Sequence, residues 1–274
     1  MSSVAIVQMT STASYEENLS KALAYIEEGS RLKTDLIAFP ENFLLIGDQA
    51  IYRSGAVPDE NRVRHIFQQK AAACNISILM GSILEKATAA PGKYFNTSIL
   101  IDRKGVVCAQ YRKIHLFDIA HPEVVYSESA HIVPGQEITC CHHDIGQIGL
   151  SICYDVRFPS QYQRLRAAGA EIITVPAAFT VPTGKAHWLT LLQARAIENQ
   201  VFIIAPAQYG KHSDTKASYG NSVLVDPWGE ILAHAEDGEK MITGEIDLVR
   251  LRKTRERMPV FRHRVKGIDD FINN

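Results

Sequence analysis

Short apolar runs rich in β-branched residues alternate along this chain with segments of helical periodicity, and that alternation constrains the fold more than any other feature. Val4 to Met9, Asp35 to Pro40, Ile76 to Leu84, Asn96 to Asp102 and Val106 to Tyr111 read as strands in the first half. Ile148 to Cys153, Ile172 to Ala177, Val201 to Ala207 and Ser222 to Val225 continue the rhythm, with helices predicted over Pro159 to Ala168 and Lys185 to Asn199. At the first predicted helix, Ser14 and Glu17 have capping-box spacing, and Leu19, Ala22, Leu23 and Ile26 form one apolar stripe. Gly105 after Asp102-Arg103-Lys104, and the stretch Asp226-Pro227-Trp228-Gly229, read as hairpin turns. Hairpins among helix-linked strands predict mixed rather than purely parallel sheets. The result is an α/β chain in two roughly equal halves with no linker between them. By itself the pattern fits either a two-sheet or a doubly wound architecture.

Three of the predicted strands end on reactive side chains of different type. Asp35-Leu36-Ile37-Ala38-Phe39-Pro40 closes on Glu41, Val106 to Arg112 closes on Lys113, and Gly149-Leu150-Ser151-Ile152 closes on Cys153. Taken singly, each has a bland reading: a buried small apolar thiol, or a solvated charge at an element boundary. Together they match the needs of amide hydrolysis, which benefits from a soft nucleophile, a base that can return its proton to the leaving nitrogen, and fixed positive charge near the carbonyl oxygen. A thiol at a strand end beside a helix start is expected to favour the thiolate. In such a scheme Lys113 and the backbone N–H of Tyr154 would hold the oxyanion, and neither metal nor organic cofactor is needed. Arg157 follows the cysteine by about one helical turn, which permits two readings: a bidentate clamp on a substrate carboxylate, or an ion pair with Asp155 or another acid.

Composition narrows the partners. A chain of 274 residues, 46% apolar, can bury about three quarters of its surface, so a core presents no difficulty. With 29 basic and 30 acidic residues it carries no electrostatic footprint for nucleic acid or an anionic membrane. The basic stretch from Arg250 to Arg264, broken by Glu256 and Pro259, reads as a solvated or interface-lining tail. Val4 to Met9 is too short for a secretory signal or a membrane span, so a soluble, cytoplasmic protein is expected. Five cysteines without framework spacing suit a reducing compartment. Cys140-Cys141-His142-His143 has metal-binding side chains, but four consecutive residues cannot easily wrap one tetrahedral ion.

The segments Phe39-Pro40-Glu41, Tyr111-Arg112-Lys113-Ile114-His115-Leu116 and Gly149-Leu150-Ser151-Ile152-Cys153-Tyr154-Asp155-Val156-Arg157-Phe158-Pro159 resemble, in order, the three signature motifs of the nitrilase (carbon–nitrogen hydrolase) superfamily. The resemblance covers nearly the whole chain and implies one domain over residues 1–274. It implies Glu41 as general base and acid, Lys113 as oxyanion stabiliser, Cys153 as nucleophile, and Glu128 as a second glutamate orienting the lysine and the substrate amide. It further implies a four-layer α-β-β-α sandwich of two mixed sheets and a homodimer paired through helices. Ala177 to Trp188 and Gln193 to Gln200 resemble the branch of ω-amidases and deaminated-glutathione amidases, and Ala207 to His212 with Ala217 to Ser222 look closer to the latter. That branch implies a small carboxylate-bearing amide as substrate, hydrolysed through a cysteine thioester with release of ammonia, deaminated glutathione being favoured. An α-keto-carboxylate would then lie near Arg157 and Thr183, with Phe179 against the carbon chain. The alternatives are α-ketoglutaramate, or a nitrile or N-carbamoyl substrate. The loop from His115 to Pro134, carrying Phe117, His121, Pro122, Tyr126 and Glu128, is expected to wall the site.

Overall fold

In the computed structural model, which describes residues 1–48, 57–120 and 125–265, the apolar runs form two six-stranded sheets. The first half of the chain supplies β1 (Ser2–Gln8), α1 (Tyr15–Arg31), β2 (Leu36–Ala38), α2 (Glu60–Cys74), β3 (Ser77–Lys86), β4 (Tyr94–Ile101) and β5 (Val107–Arg112). A short hairpin, β6 (Asp118–Ala120) with β7 (Val125–Ser127), leads to β8 (Thr139–His143), β9 (Gly146–Leu150), α3 (Pro159–Ala167), β10 (Ile172–Thr174) and α4 (Val181–Asn199). The chain ends through β11 (Phe202–Ala205), the ribbon β12 (Tyr209–Lys211) with β13 (Ala217–Tyr219), β14 (Val223–Val225), β15 (Ile231–His234), β16 (Lys240–Ile246) and α5 (Leu248–Arg257).

The sheets run β16-β1-β2-β3-β4-β5 and β15-β14-β11-β10-β9-β8. In the first, β1, β2 and β3 are parallel and β16, β4 and β5 add antiparallel. In the second, β9, β10 and β11 are parallel and β8, β14 and β15 add antiparallel. Both sheets are therefore mixed. Strand period decides the layering, because successive side chains face opposite sides. Val4, Ile6, Leu36 and Ala38 pack with Ile148, Leu150 and Val225 in the core between the sheets. Their neighbours Ala5, Val7 and Ile37 face the other way, against Ala22 and Ile26 of α1 and Val63 and Phe67 of α2. Tyr162 and Leu165 of α3, with Trp188 and Leu192 of α4, cover the far side of the second sheet. The four-layer order implied by the resemblance is the one built.

Both predicted turns form in the same way. Gly105 and Gly229 sit at φ +82 and +89, where a glycine avoids Cβ strain, and each donates its N–H to the carbonyl of an aspartate, Asp102 or Asp226, at 2.9 Å. Three local expectations differ. Ser14 makes no side-chain cap; instead Asn18 pins the start of α1, accepting from Thr12 N at 3.0 Å and donating to Thr12 O and Leu44 O. The strand predicted to reach Cys153 stops at Leu150, and Cys153–Arg157 forms a 3₁₀ turn. The basic stretch opens as α5, capped by Asp247 accepting from Val249 and Arg250 N–H groups. The Cys140 to His143 tetrad lies on β8, where alternate side chains face opposite sides of the sheet and cannot close on one ion. No helix among the described residues is long and apolar enough to cross a membrane.

Candidate active site

Glu41, Lys113 and Cys153 follow β2, β5 and β9 respectively, so two sheets deliver them to one shared edge. Bridges Met9 to Gln208 and Ala177 to Ala207 stitch that edge. Gln208 reinforces it, its Nε2 donating to the Glu41 carbonyl at 3.1 Å and to Ser11 Oγ at 2.8 Å. A cross-layer link fixes Lys113 relative to Cys153. The Tyr111 hydroxyl, two residues before Lys113, donates to Asp155 Oδ2 at 2.7 Å, two residues after Cys153. The buried Asp155 also accepts from Ile152 N at 2.9 Å and from His115 N at 3.1 Å, and His115 Nδ1 lies 2.8 Å from it. Cys153 itself has φ +49, a left-handed conformation that costs a non-glycine residue energy and holds the thiol off the strand axis.

The charged groups form a closed cluster. Lys113, only 2% exposed, donates from Nζ to Glu41 Oε1 at 2.9 Å and to Glu128 at 2.8 and 3.0 Å. Asn96 Nδ2 donates to the same two carboxylates, at 2.8 Å to Glu41 and 3.3 Å to Glu128. The second Glu41 oxygen accepts from Ala178 N at 2.9 Å, and the second Glu128 oxygen from Phe117 N at 2.7 Å. Burial alone would depress the Lys113 ammonium, but Glu128 and Glu41 beside it hold it well above the ordinary lysine value. Burial pushes the Cys153 thiol well up, and the Glu41 carboxylate in contact with it pushes the same way, against the opposing pull of Lys113. The helix-start setting expected to favour a thiolate is thus outweighed by burial and by the neighbouring Glu41.

These residues line a cavity of about 470 Å³, in the range of small-molecule sites. Tyr154, Phe179, Thr183, Phe117, Tyr126 and Glu128 are all in its wall. The rings of Phe117, Tyr126 and Tyr154 cluster at centroid separations of 5.0 and 5.2 Å, so the loop after Lys113 packs against the nucleophile turn. His121 and Pro122 of that loop lie outside the described residues. Tyr154 is second in its 3₁₀ turn, where an N–H has no acceptor within the helix, leaving it available beside the thiol. Phe179 packs on Trp188 at 4.7 Å, and Thr183 Oγ1 lies 2.7 Å from Thr180 Oγ1.

Arg157 is placed otherwise than expected. It is not in the cavity wall; its guanidinium lies over the Tyr154 and Phe179 rings at 5.8 and 5.4 Å and meets His187 Nδ1 at 3.3 Å. The reason is the 3₁₀ turn. Four residues rotate about 40° past a full α-helical turn but about 120° past a 3₁₀ turn, so Arg157 swings off the face of Cys153. The ion pair with Asp155 is not formed either, that carboxylate being taken up by Tyr111, His115 and Ile152. Asn96 and Tyr111 were not singled out from the sequence, and Asp155 was named only as a possible ion-pair partner of Arg157. The available signal was a polar residue inside an otherwise apolar run, which by itself does not say what it meets.

The arrangement can take a proton from sulfur to a carboxylate in contact with it and can meet a developing oxyanion with an ammonium and a backbone N–H. Comparison with known proteins agrees with that chemistry. The carbon–nitrogen hydrolase family model matches residues 3–256. A deaminated glutathione amidase of Synechocystis is 40% identical over 264 residues, 95% of this chain and 97% of that protein. The human deaminated glutathione amidase is 38% identical, over 95% of this chain and 81% of its own. Among solved structures, the Caenorhabditis elegans NitFhit protein superposes with TM-score 0.92 at 37% identity, covering 98% of this chain, which spans 66% of that fusion protein's chain. Saccharomyces cerevisiae Nit3, a member of branch 10 of the nitrilase superfamily, gives TM-score 0.86 at 29% identity with 96% of both chains covered.

Proposed function

Because this chain belongs to the carbon–nitrogen hydrolase family, we propose that it hydrolyses the γ-amide of deaminated glutathione through a Cys153 thioester. The observation that carries the reading is the convergence of Glu41, Lys113, Glu128 and Cys153 on the wall of one cavity. Deaminated glutathione is a keto diacid joined through an amide to cysteinylglycine. Glu41 takes the Cys153 proton as sulfur attacks the amide carbon. The oxyanion is held by the Lys113 ammonium and the Tyr154 N–H, and Glu128 and Asn96 keep Lys113 and Glu41 in register. Collapse of the intermediate breaks the C–N bond while Glu41 returns the proton to nitrogen. The linkage is a secondary amide, so cysteinylglycine departs; ammonia would leave only from a primary ω-amide. Glu41 then activates a water that cleaves the thioester, releasing the keto diacid and the free thiol. Phe179 and Thr183 flank the acyl chain, and Arg157 steadies Tyr154 and Phe179 from behind.

The protein works in the cytoplasm as a homodimer in this reading. Five unpaired cysteines support a reducing compartment. Exposed apolar side chains at Ile197 of α4 and at Trp228, which is 63% exposed, support pairing there, since Ile197 borders Gly229 next to Trp228. The test compares wild type and Cys153→Ala on deaminated glutathione and on α-ketoglutaramate. Cysteine-dependent turnover with the higher kcat/KM on deaminated glutathione is expected; turnover of α-ketoglutaramate alone would refute the substrate assignment.

A further inference from the structure

The cavity holds a second cation that the chemistry above does not use. Lys216, in the loop joining β12 to β13, lines it beside Gly47, Asp48, His212, Thr215 and Ser218. The loop is well tied. The Lys216 carbonyl accepts from His212 N at 2.8 Å, and Asp48 Oδ1 accepts from the hydroxyls of Ser213 at 3.0 Å and Thr215 at 2.8 Å. His212 Nδ1 lies 2.8 Å from the Ser11 carbonyl, which can only accept, so Nε2 accepts from Ser218 Oγ at 2.9 Å. Burial holds His212 below the usual histidine range, consistent with a neutral ring. The Lys216 ammonium donates to the Gly47 carbonyl, and among the described residues no carboxylate forms an ion pair with it. Burial lowers its basicity, the mark of a cation short of a counter-ion, with only Asp48 acting in the other sense. An ammonium has three donors, so two face outward from the carbonyl it holds.

The wall gives the direction. Glu41, which delivers the proton to the departing nitrogen, runs on through Asn42, Leu45 and Ile46 to Gly47, all lining the cavity. A leaving group released on the Glu41 side therefore has a continuous wall leading to Lys216. We propose that Lys216 anchors the carboxylate at the far end of the amine leaving group, so that the site selects amides of an acid-terminated, peptide-like amine over primary amides. This rests on the function proposed above and names how that site reads the second acid group of its substrate, which α-ketoglutaramate lacks.

The experiment measures kcat/KM for deaminated glutathione and for its analogue with a C-terminal carboxamide, on wild type, Lys216→Met and Lys216→Arg. A hydrogen-bonded charge pair is worth roughly 10- to 100-fold, so wild type should prefer the free acid by that factor. The preference should collapse to within about threefold in Lys216→Met and be partly kept in Lys216→Arg, whereas a merely structural lysine would weaken both substrates alike. A full preference in Lys216→Met overturns the inference. So does a wild type that hydrolyses acid and carboxamide equally well, a comparison that needs no variant to fold. A wild type that hydrolyses neither yet acts on α-ketoglutaramate defeats the substrate assignment itself, and the inference with it.

Discussion

Replacing Glu128 by glutamine keeps the shape of the side chain and removes its charge, which isolates what this carboxylate does for Lys113. Each oxygen serves two donors: Oε1 accepts from Lys113 at 3.0 Å and Asn96 at 3.3 Å, and Oε2 from Lys113 at 2.8 Å and Phe117 N at 2.7 Å. A glutamine has one carbonyl oxygen, so its NH₂ must point at the ammonium and at a second donor whichever way it turns. At least one charge-assisted hydrogen bond is lost, about 1.5–3 kcal/mol, and Lys113 loses the neighbour that most raises its basicity. If Lys113 must stay charged and aimed at the oxyanion, that loss appears in the transition state as roughly a 10- to 150-fold fall in kcat/KM. The same loss in the folded state lowers Tm by roughly 3–12 °C. The assay is release of the keto diacid at neutral pH, with a thermal melt of the same preparation. A Glu128→Gln enzyme with kcat/KM within about twofold of wild type would refute the reasoning. A lowered Tm with intact turnover would show that Glu128 ties the loop without directing Lys113.

Other outcomes follow from the same geometry. Lys113→Met removes an oxyanion donor worth about 2.7–4 kcal/mol, so kcat should drop by roughly a hundredfold or more; wild-type turnover would remove Lys113 from the chemistry. Because the Cys153 thiol is raised above the ordinary value, its thiolate fraction at neutral pH is below that of a free cysteine, and iodoacetamide labelling should climb with pH without levelling near neutrality. A plateau at or below neutral pH would mean a preformed thiolate. Tyr111→Phe deletes a donor to buried Asp155 and an acceptor for Gln161 Nε2 at 2.8 Å, costing about 1–3 kcal/mol in urea unfolding; unchanged stability would refute the cross-layer tie. A Cβ on Gly81 would fall 1.9 Å from the Phe39 carbonyl oxygen, so Gly81→Ala must displace the segment that carries Glu41. Turnover should fall by about a hundredfold even where soluble protein is recovered, and normal kcat would show that the segment relaxes freely.

Much of the architecture was legible because period-two patterning is local: Val4, Ala5, Ile6 and Val7 already sort to two faces before any partner is known. β16 was not, since it pairs with β1 across nearly the whole chain and reads as Lys240-Met241-Ile242-Thr243-Gly244-Glu245-Ile246, a poorly apolar edge. Glu41, Lys113 and Cys153 stood out as reactive groups ending apolar runs. Asn96 and Asp155 did not, because one sits inside a strand and the other in a turn, and their partners lie 55 and 44 residues away. Arg157 was misplaced by a helix type, since a single turn of 3₁₀ rather than α helix rotates it out of the cavity. Lys216 gave no signal among the polar residues of Lys211-His212-Ser213-Asp214-Thr215-Lys216.

Most strands and helices, the side chains that face the core, and the three reactive groups near strand ends could be read from local pattern, because these depend on propensity and periodicity within a few residues. It took the packed structure to show that burial and Glu41 raise the Cys153 thiol, that Lys113 is shared between Glu41 and Glu128, and that Lys216 borders the same cavity. Those properties are set by burial and by charge pairing, whose energies depend on groups that only the packing of two sheets brings within hydrogen-bond reach.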